Sequence, residues 1–203
     1  MKDQELEVKY YISDLAALEA RVRSLGGHLV QPRVRETNLR FDTPQGSLAQ
    51  SLQVLRLRQD QEARLTFKGP AEDKGGARLR TEIEFTVGDF ETARRFLNAL
   101  GYIVSMAYEK FRTTYDLDEV HVTLDELPYG SFAELEGPDP ERIQSVNRQL
   151  GLDWEQRAQQ SYTALFDSLR LSQGLPFHDL TFENFRGMEI RPEQLGLKPA
   201  DVQ

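Results

Sequence analysis

Glu5, Glu7 and Lys9 alternate with Leu6, Val8 and Tyr10 in the opening stretch ELEVKY. A period of two puts the charged set on one face of a strand and the apolar set on the other, so LEVKYYI reads as a strand. SDLAALEARVRSLGG then changes to helical spacing: Leu15, Leu18, Val22 and Leu25 form its stripe, Ser13 or Asp14 can cap it, and Gly26-Gly27 ends it. HLVQPRVRETNLRFDTP holds one or two strands, broken near Pro32 and followed by a turn at TPQG. SLQVLRLRQ and EARLTFKGP form a hairpin around Asp60-Gln61, and ARLRTEIEFTV is a further strand. DFETARRFLNALGY reads as a second helix, capped by Asp89 and ended by Gly101. MAYEKFRTTYDL and EVHVTLDELP form another hairpin, GSFAELEGP is a strand, and DPERIQSVNRQLGL and EQRAQQSYTALFDSLRL read as third and fourth helices. About eight nearly contiguous strands, with two helices inserted and two following, make an α+β fold. Its sheet is largely antiparallel and can close into a barrel.

The alternation of the first strand recurs. Arg56 and Arg58 stand opposite Leu55 and Leu57, and Thr66 and Lys68 opposite Leu65 and Phe67. Arg78, Arg80, Glu82 and Glu84 stand opposite Leu79, Ile83 and Phe85. Lys110 and Arg112, Thr123 and Asp125, and Glu134 and Glu136 repeat the arrangement. One such strand is an ordinary solvent-facing strand. Seven, with their polar face made almost entirely of charges and with the signs gathered by strand, point to a shared charged interior. A closed barrel of about eight strands leaves a narrow lumen. Charges there are costly unless paired or bound to ions. Gathered carboxylates suit hard divalent cations, and gathered guanidinium and ammonium groups suit phosphate oxygens. Both in one lumen make a composition suited to phosphoryl transfer.

Bulk properties narrow the partners. The net charge of −8 excludes broad, sequence-independent nucleic-acid binding, while leaving room for a local basic pocket. There are no cysteines, so disulfides, zinc–thiolate sites and cysteine nucleophiles are out. His28, His121 and His178 lie far apart, which leaves any metal to oxygen ligands. No run approaches the roughly 20 apolar residues of a membrane span. No signal segment is visible at the N-terminus, and a cytoplasmic protein without membrane association is expected.

The same residues carry a resemblance. The chain resembles the CYTH domain, the fold of the triphosphate tunnel metalloenzymes, which include class IV adenylyl cyclases and thiamine, inorganic and RNA triphosphatases. ELEVK matches the family's ExExK, RFDTP its YxDT, VLRLR its LRxR, LTFKG its TxKG and TEIEF its ExE. EKFR matches KxR, VTLDE matches LD, GSFAELE matches GxFxExE, and Ser161-Tyr162 matches a late Ser-Tyr pair. The motifs run in order over about residues 3 to 170. Arg40 departs from the pattern, standing where the family often has tyrosine; it either adds a cation or faces out.

The resemblance implies an eight-stranded antiparallel tunnel binding a small-molecule triphosphate with one or two Mg²⁺ or Mn²⁺ ions. Lys9, Arg56, Arg58, Lys68, Arg80, Lys110 and Arg112 would hold the triphosphate. Glu5, Glu7, Glu82, Glu84, Asp125, Glu134 and Glu136 would serve the metal, and Glu5, Glu7 and Lys9 would be the catalytic centre. Two reactions fit: hydrolysis of the triphosphate, or cyclisation of ATP to cyclic AMP and pyrophosphate. Class IV cyclases often carry HFE where this chain has QELE, which favours hydrolysis. FDTPQGSLAQSLQVLRLR also resembles proteins labelled as class IV cyclases, which keeps cyclisation open. A non-catalytic polyphosphate-binding module is a third reading, disfavoured by the intact carboxylates. The tunnel domain is placed at residues 1–172. An aromatic-rich extension at 173–203 packs on the barrel or on a second subunit, with a homodimer one outcome. Trp154 reads as a packing anchor and His178 as a surface residue. The helix carrying Tyr162, Leu165, Phe166 and Leu169 plugs or flanks one tunnel mouth.

Overall fold

A computed structural model describes residues 4–202 of the chain; the outermost positions of the domain bounds given above, 1–3 and 203, lie outside the described residues. Eight antiparallel strands close into a barrel: β1 (Gln4–Ile12), β2 (His28–Asp42), β3 (Val54–Gln59), β4 (Ala63–Lys74), β5 (Ala77–Val87), β6 (Ile103–Leu117), β7 (Val120–Leu127) and β8 (Gly130–Glu136). Around the barrel the order is β1-β5-β4-β3-β2-β6-β7-β8, with β8 returning to pair with β1. Closure removes the free edges that an open sheet would expose.

The helices are α1 (Leu15–Ser24), α2 (Ser47–Gln50), α3 (Phe90–Ala99), α4 (Pro140–Leu150) and α5 (Tyr162–Gln173). Asp14, Asp89, Asp139 and Ser161 each cap a helix by accepting a first-turn backbone N–H. No helix among the described residues is long and apolar enough to cross a membrane.

Alternation decides what lies outside the barrel as well as inside it. Leu6, Val8 and Tyr10 of β1 turn outward and are buried by α1, α4 and the neighbouring strands, in a core with Val22, Ile143, Val146 and Leu150. Trp154 packs on this core and carries the Arg157 guanidinium 4.2 Å from its ring. A second core closes one end of the barrel, where Tyr11, Phe132, Tyr129, Tyr162, Leu165, Phe166 and Leu169 pack together. Residues from the C-terminal stretch complete it: Leu180, Phe185 and Leu195 are buried there. Leu180 adds a bridge to Tyr108 of β6, and Ala200 donates its N–H to the Tyr11 carbonyl at 3.0 Å. The Asp201 carboxylate accepts the N–H groups of Ser13 and Asp14, each at 2.8 Å. His178 is exposed.

The fourth helix begins later than its periodicity suggests. Residues 155–171 read as one helix in sequence, yet α5 starts at Tyr162. Before it comes a 3-10 turn over Trp154–Gln156 and an extended segment. In that segment Arg157 bridges to Tyr10, and Ala158 donates to the Lys9 carbonyl at 2.8 Å. Pairing with β1 outweighs the helical preference of EQRAQQ. As a result Ser161 and Tyr162 sit at a helix start that points into the barrel end. The segment 28–42 is one strand whose register against β6 shifts three times, twice around Pro32, between Leu29 and Gln31 and between Gln31 and Val34, and once between Arg40 and Phe41, so Pro32 interrupts the pairing without ending the strand.

Candidate active site

The inward faces of all eight strands enclose a cavity of about 630 Å³. Nine basic and seven acidic side chains line it. Of the residues expected from the sequence to hold metal or triphosphate, all but Asp125 are on its surface; Thr66 and Arg78, from the same strand faces, are not.

At the end away from α5, carboxylates crowd. Glu5 accepts from Lys68 Nζ at 2.9 and 3.0 Å and from Arg80 Nε at 2.8 Å. Burial opposes its ionisation, but Lys68 and Arg80 outweigh burial and hold its carboxyl far below the usual range. Glu82 shares Lys68 at 2.8 Å; burial and the neighbouring Glu5 push it up to about 7. Glu7 is only 5% exposed, yet its nearest cations are distant: Arg80 Nη2 at 3.5 Å and Lys9 Nζ at 4.0 Å. Glu136 faces Glu7 across the β1–β8 pair. Burial, then the charges of Glu5 and Glu7, push it up to about 7. A carboxyl raised in this way is short of cation.

Toward α5 the balance reverses. Lys9 meets Glu134 at 2.9 Å and lies 4.3 Å from the Tyr162 ring. Arg112 forks onto Asp125 at 2.7 and 2.5 Å and also bonds Glu134. Asp125, fully buried, takes Lys110 at 3.1 Å and the Tyr162 hydroxyl at 2.8 Å as well. On the β3–β5 wall, Arg58 and Arg56 reach Glu84 at 3.0 and 3.3 Å, and Thr66 donates to it at 2.7 Å. Burial opposes ionisation of Glu84, but Arg58 leads the groups that hold it down.

Several lining residues lie outside the expected set. Glu36 of β2 is 1% exposed, near Lys110 at 3.5 Å and Arg58 at 3.6 Å. These cations overcome its burial and keep it ionised well below the usual carboxylate range. Arg64 and Tyr108 also line the cavity, and Arg56 donates to the Tyr108 hydroxyl at 3.4 Å. The signal was available in β2, where Glu36, Asn38 and Arg40 stand two apart like the charges of the other strands. Arg40 faces in.

Whether these residues suit a divalent cation can be tested on their chemistry. Among the described residues no three Asp, Glu or His side chains converge into a ready cage. All the donors are carboxylate oxygens, which suits a hard cation. The repulsion that raises Glu136 is what such a cation would relieve, so the donor set fits. A prediction follows for the metal-free protein. The carboxyl of Glu136 rises from an ordinary 4.5 to about 7 on folding, so the folded state binds more protons between those values. Its contribution is present below pH 4.5 and is lost as pH rises through 7. Glu136→Gln is therefore expected to raise Tm relative to the parent at about pH 8 by a few degrees, and to do so much less at about pH 5. A Tm difference independent of pH, measured in chelator, would refute this.

The chain matches the CYTH domain family over residues 3–162. It is 31% identical over 174 residues to the adenylate cyclase CyaB of Aeromonas hydrophila, covering 79% of this chain and 87% of the relative. Its fold is similar to that of a proposed adenylate cyclase from Vibrio parahaemolyticus: TM-score 0.73, 26% identity, 81% of this chain and 98% of that one. The PH1012 protein of Pyrococcus horikoshii is similar at TM-score 0.66 and 27% identity, over 78% of this chain and 96% of that one.

Proposed function

The chain belongs to the CYTH domain family of enzymes, and on that premise we propose that it hydrolyses a triphosphate inside its barrel with a divalent cation. The observation that carries this reading is the composition of the cavity wall. Nine cations and seven carboxylates face one lumen, the cations mostly paired with carboxylates of neighbouring strands. Such pairs balance the tunnel's charges at a desolvation cost. With a triphosphate and a divalent cation bound, the guanidinium and ammonium groups would turn to phosphate oxygens and the carboxylates would be free to hold the cation.

In this reading Glu7 and Glu136, with Glu5, would hold the cation, and Arg56, Arg58, Lys68, Lys110 and Arg112 would hold the phosphates. Lys9 and Arg80 stand between the two groups, within reach of Glu134, Glu5 and Glu7. When bound, the cation would neutralise charge on the transferring phosphoryl group and acidify an attacking water. The chain's own part is positioning and fixed charge. Asp125 accepts from Lys110, Arg112 and Tyr162 at once, and would act as the anion that aims those cations and not as a ligand.

Hydrolysis is favoured over cyclisation because, among the described residues, the cavity offers no free aromatic platform for a base. Tyr108 and Tyr162 are each 7% exposed, with their hydroxyls engaged by Arg56 and Asp125. His121, at the carboxylate end, is tied through Nδ1 to Asp116. Cyclisation of ATP is the second reading, favoured by the CyaB relative. One assay separates them: the protein with Mg²⁺ or Mn²⁺ is given inorganic triphosphate, ATP and thiamine triphosphate in turn. Phosphate release is the expected product. Cyclic AMP with pyrophosphate would replace hydrolysis by cyclisation, and binding without any product would leave a polyphosphate-binding module.

A further inference from the structure

Eight of the nine basic side chains lining the tunnel have a carboxylate within 4.0 Å; among the described residues Arg40 alone has none. Its side-chain partner is neutral: Nη1 donates to the Thr163 hydroxyl at 2.7 Å. The nearest acid along its strand, Asp42, is committed elsewhere, accepting the backbone N–H groups of Thr43, Leu48 and Ala49. Arg40 is half-buried and faces the cavity. It stands directly across the β2–β3 pair from Arg56, and like charges placed opposite one another in a sheet are destabilising.

The wall around it is also the part of the tunnel least satisfied by its own hydrogen bonds. Asn38 is fully buried with neither amide atom hydrogen-bonded, and Arg56 Nε, Arg58 Nε and Glu36 Oε2 are buried without a hydrogen bond too, the last two within 3.6 Å of an opposite charge. Buried polar groups are ordinarily bonded, so several orphans in one wall call for an explanation. Arg40 further lies beside the start of the twelve-residue helix α5, whose positive end faces the same part of the cavity through Ser161, Tyr162 and Thr163.

We infer that Arg40 is a substrate-binding residue that grips the phosphoryl group of the triphosphate lying at the α5 end, farthest from Glu5, Glu7 and Glu136, and so makes the site read a chain of three phosphates. This rests on the reading of the tunnel as a triphosphate site. A pyrophosphate anchored among the carboxylate-end cations falls one phosphate short of Arg40. The guanidinium therefore adds affinity for the longer chain and little for the shorter, with Thr163 as its positioning partner.

The test is calorimetric binding of inorganic triphosphate and of pyrophosphate in chelator, where no turnover intervenes. Arg40→Gln is expected to weaken triphosphate binding about tenfold to a hundredfold, the range for a hydrogen bond to a charged group, and pyrophosphate binding much less. Arg40→Lys should recover part of the difference. Equal affinities of parent and Arg40→Gln for triphosphate would overturn the inference, and so would equal losses for both ligands. If Arg40 only ties α5 to the barrel, Arg40→Gln and Thr163→Val will lower Tm alike and leave the preference for triphosphate intact. Should Arg40→Gln not fold, Thr163→Val decides: it must weaken triphosphate binding more than pyrophosphate binding. A parent protein that binds neither ligand, in chelator or with Mg²⁺ supplied, would instead overturn the triphosphate reading itself.

Discussion

Glu7→Gln is expected to give a folded protein whose turnover of triphosphate falls at least about a hundredfold to a thousandfold, the scale on which removing one fixed electrostatic group from a site acts. The reason lies in what Glu7 is not doing. Most tunnel carboxylates have a cation near 3 Å: Glu5 has Lys68 and Arg80, Glu134 has Lys9, and Glu84 has Arg58. Glu7 is only 5% exposed, but its cations stand at 3.5 and 4.0 Å. A carboxylate in that position is poorly compensated by protein and available to a metal. Glutamine keeps its volume and its ability to accept from Arg80, so circular dichroism and Tm should match the parent or improve on it. Loss of turnover with loss of fold would say nothing of chemistry, so both are measured. A folded variant with the parent's turnover would remove Glu7 from the mechanism.

The opening strand shows how far alternation can be read. Glu5, Glu7 and Lys9 face the lumen because a period of two leaves them no other side once Leu6, Val8 and Tyr10 are buried outside. The same rule places Arg56, Arg58, Lys68, Arg80, Lys110, Arg112, Glu134 and Glu136, and it depends on nothing beyond the strand itself. It extends to β2 as well, where Glu36 and Arg40 belong to the cavity; there the bulged start of the strand, around Gln31 and Val34, obscures the period. What alternation cannot supply is the partner of each charge. Asp125 and Glu136 lie on adjacent strands, yet one is locked by two cations and a phenol while the other is raised by burial and then by two carboxylates. That difference arises from register between strands far apart in sequence. The start of α5 was illegible for a similar reason: pairing of Arg157 and Ala158 with β1 is a contact across about 150 residues. The C-terminal stretch has no period at all, because it is anchored one residue at a time by Leu180, Phe185, Leu195 and Ala200.

Asp125→Ala is expected to be the most destabilising single change in the tunnel. Asp125 is fully buried, and its two oxygens accept from Lys110 at 3.1 Å, Arg112 at 2.5 and 2.7 Å, and Tyr162 at 2.8 Å. Alanine would leave two cations and a buried phenol with one acceptor fewer each, and removing one member of a buried ion pair typically costs about 3–5 kcal/mol. For a domain of this size that corresponds to a fall in Tm of roughly 10 °C or more. Glu134 can recover part of Arg112, and Glu36, at 3.5 Å, part of Lys110, which sets the lower end of the range. Tyr162 has no such substitute, and it joins Phe132 in closing the α5 end of the barrel. The loss should therefore loosen the plug as well as the cations. Asp125→Asn, which keeps an acceptor but not the charge, should fall between the two. Thermal unfolding of the three proteins in chelator checks the order. If Asp125 served chiefly as a metal ligand and not as the anion that aims Lys110 and Arg112, its removal would relieve repulsion, and Tm in chelator would hold steady or rise.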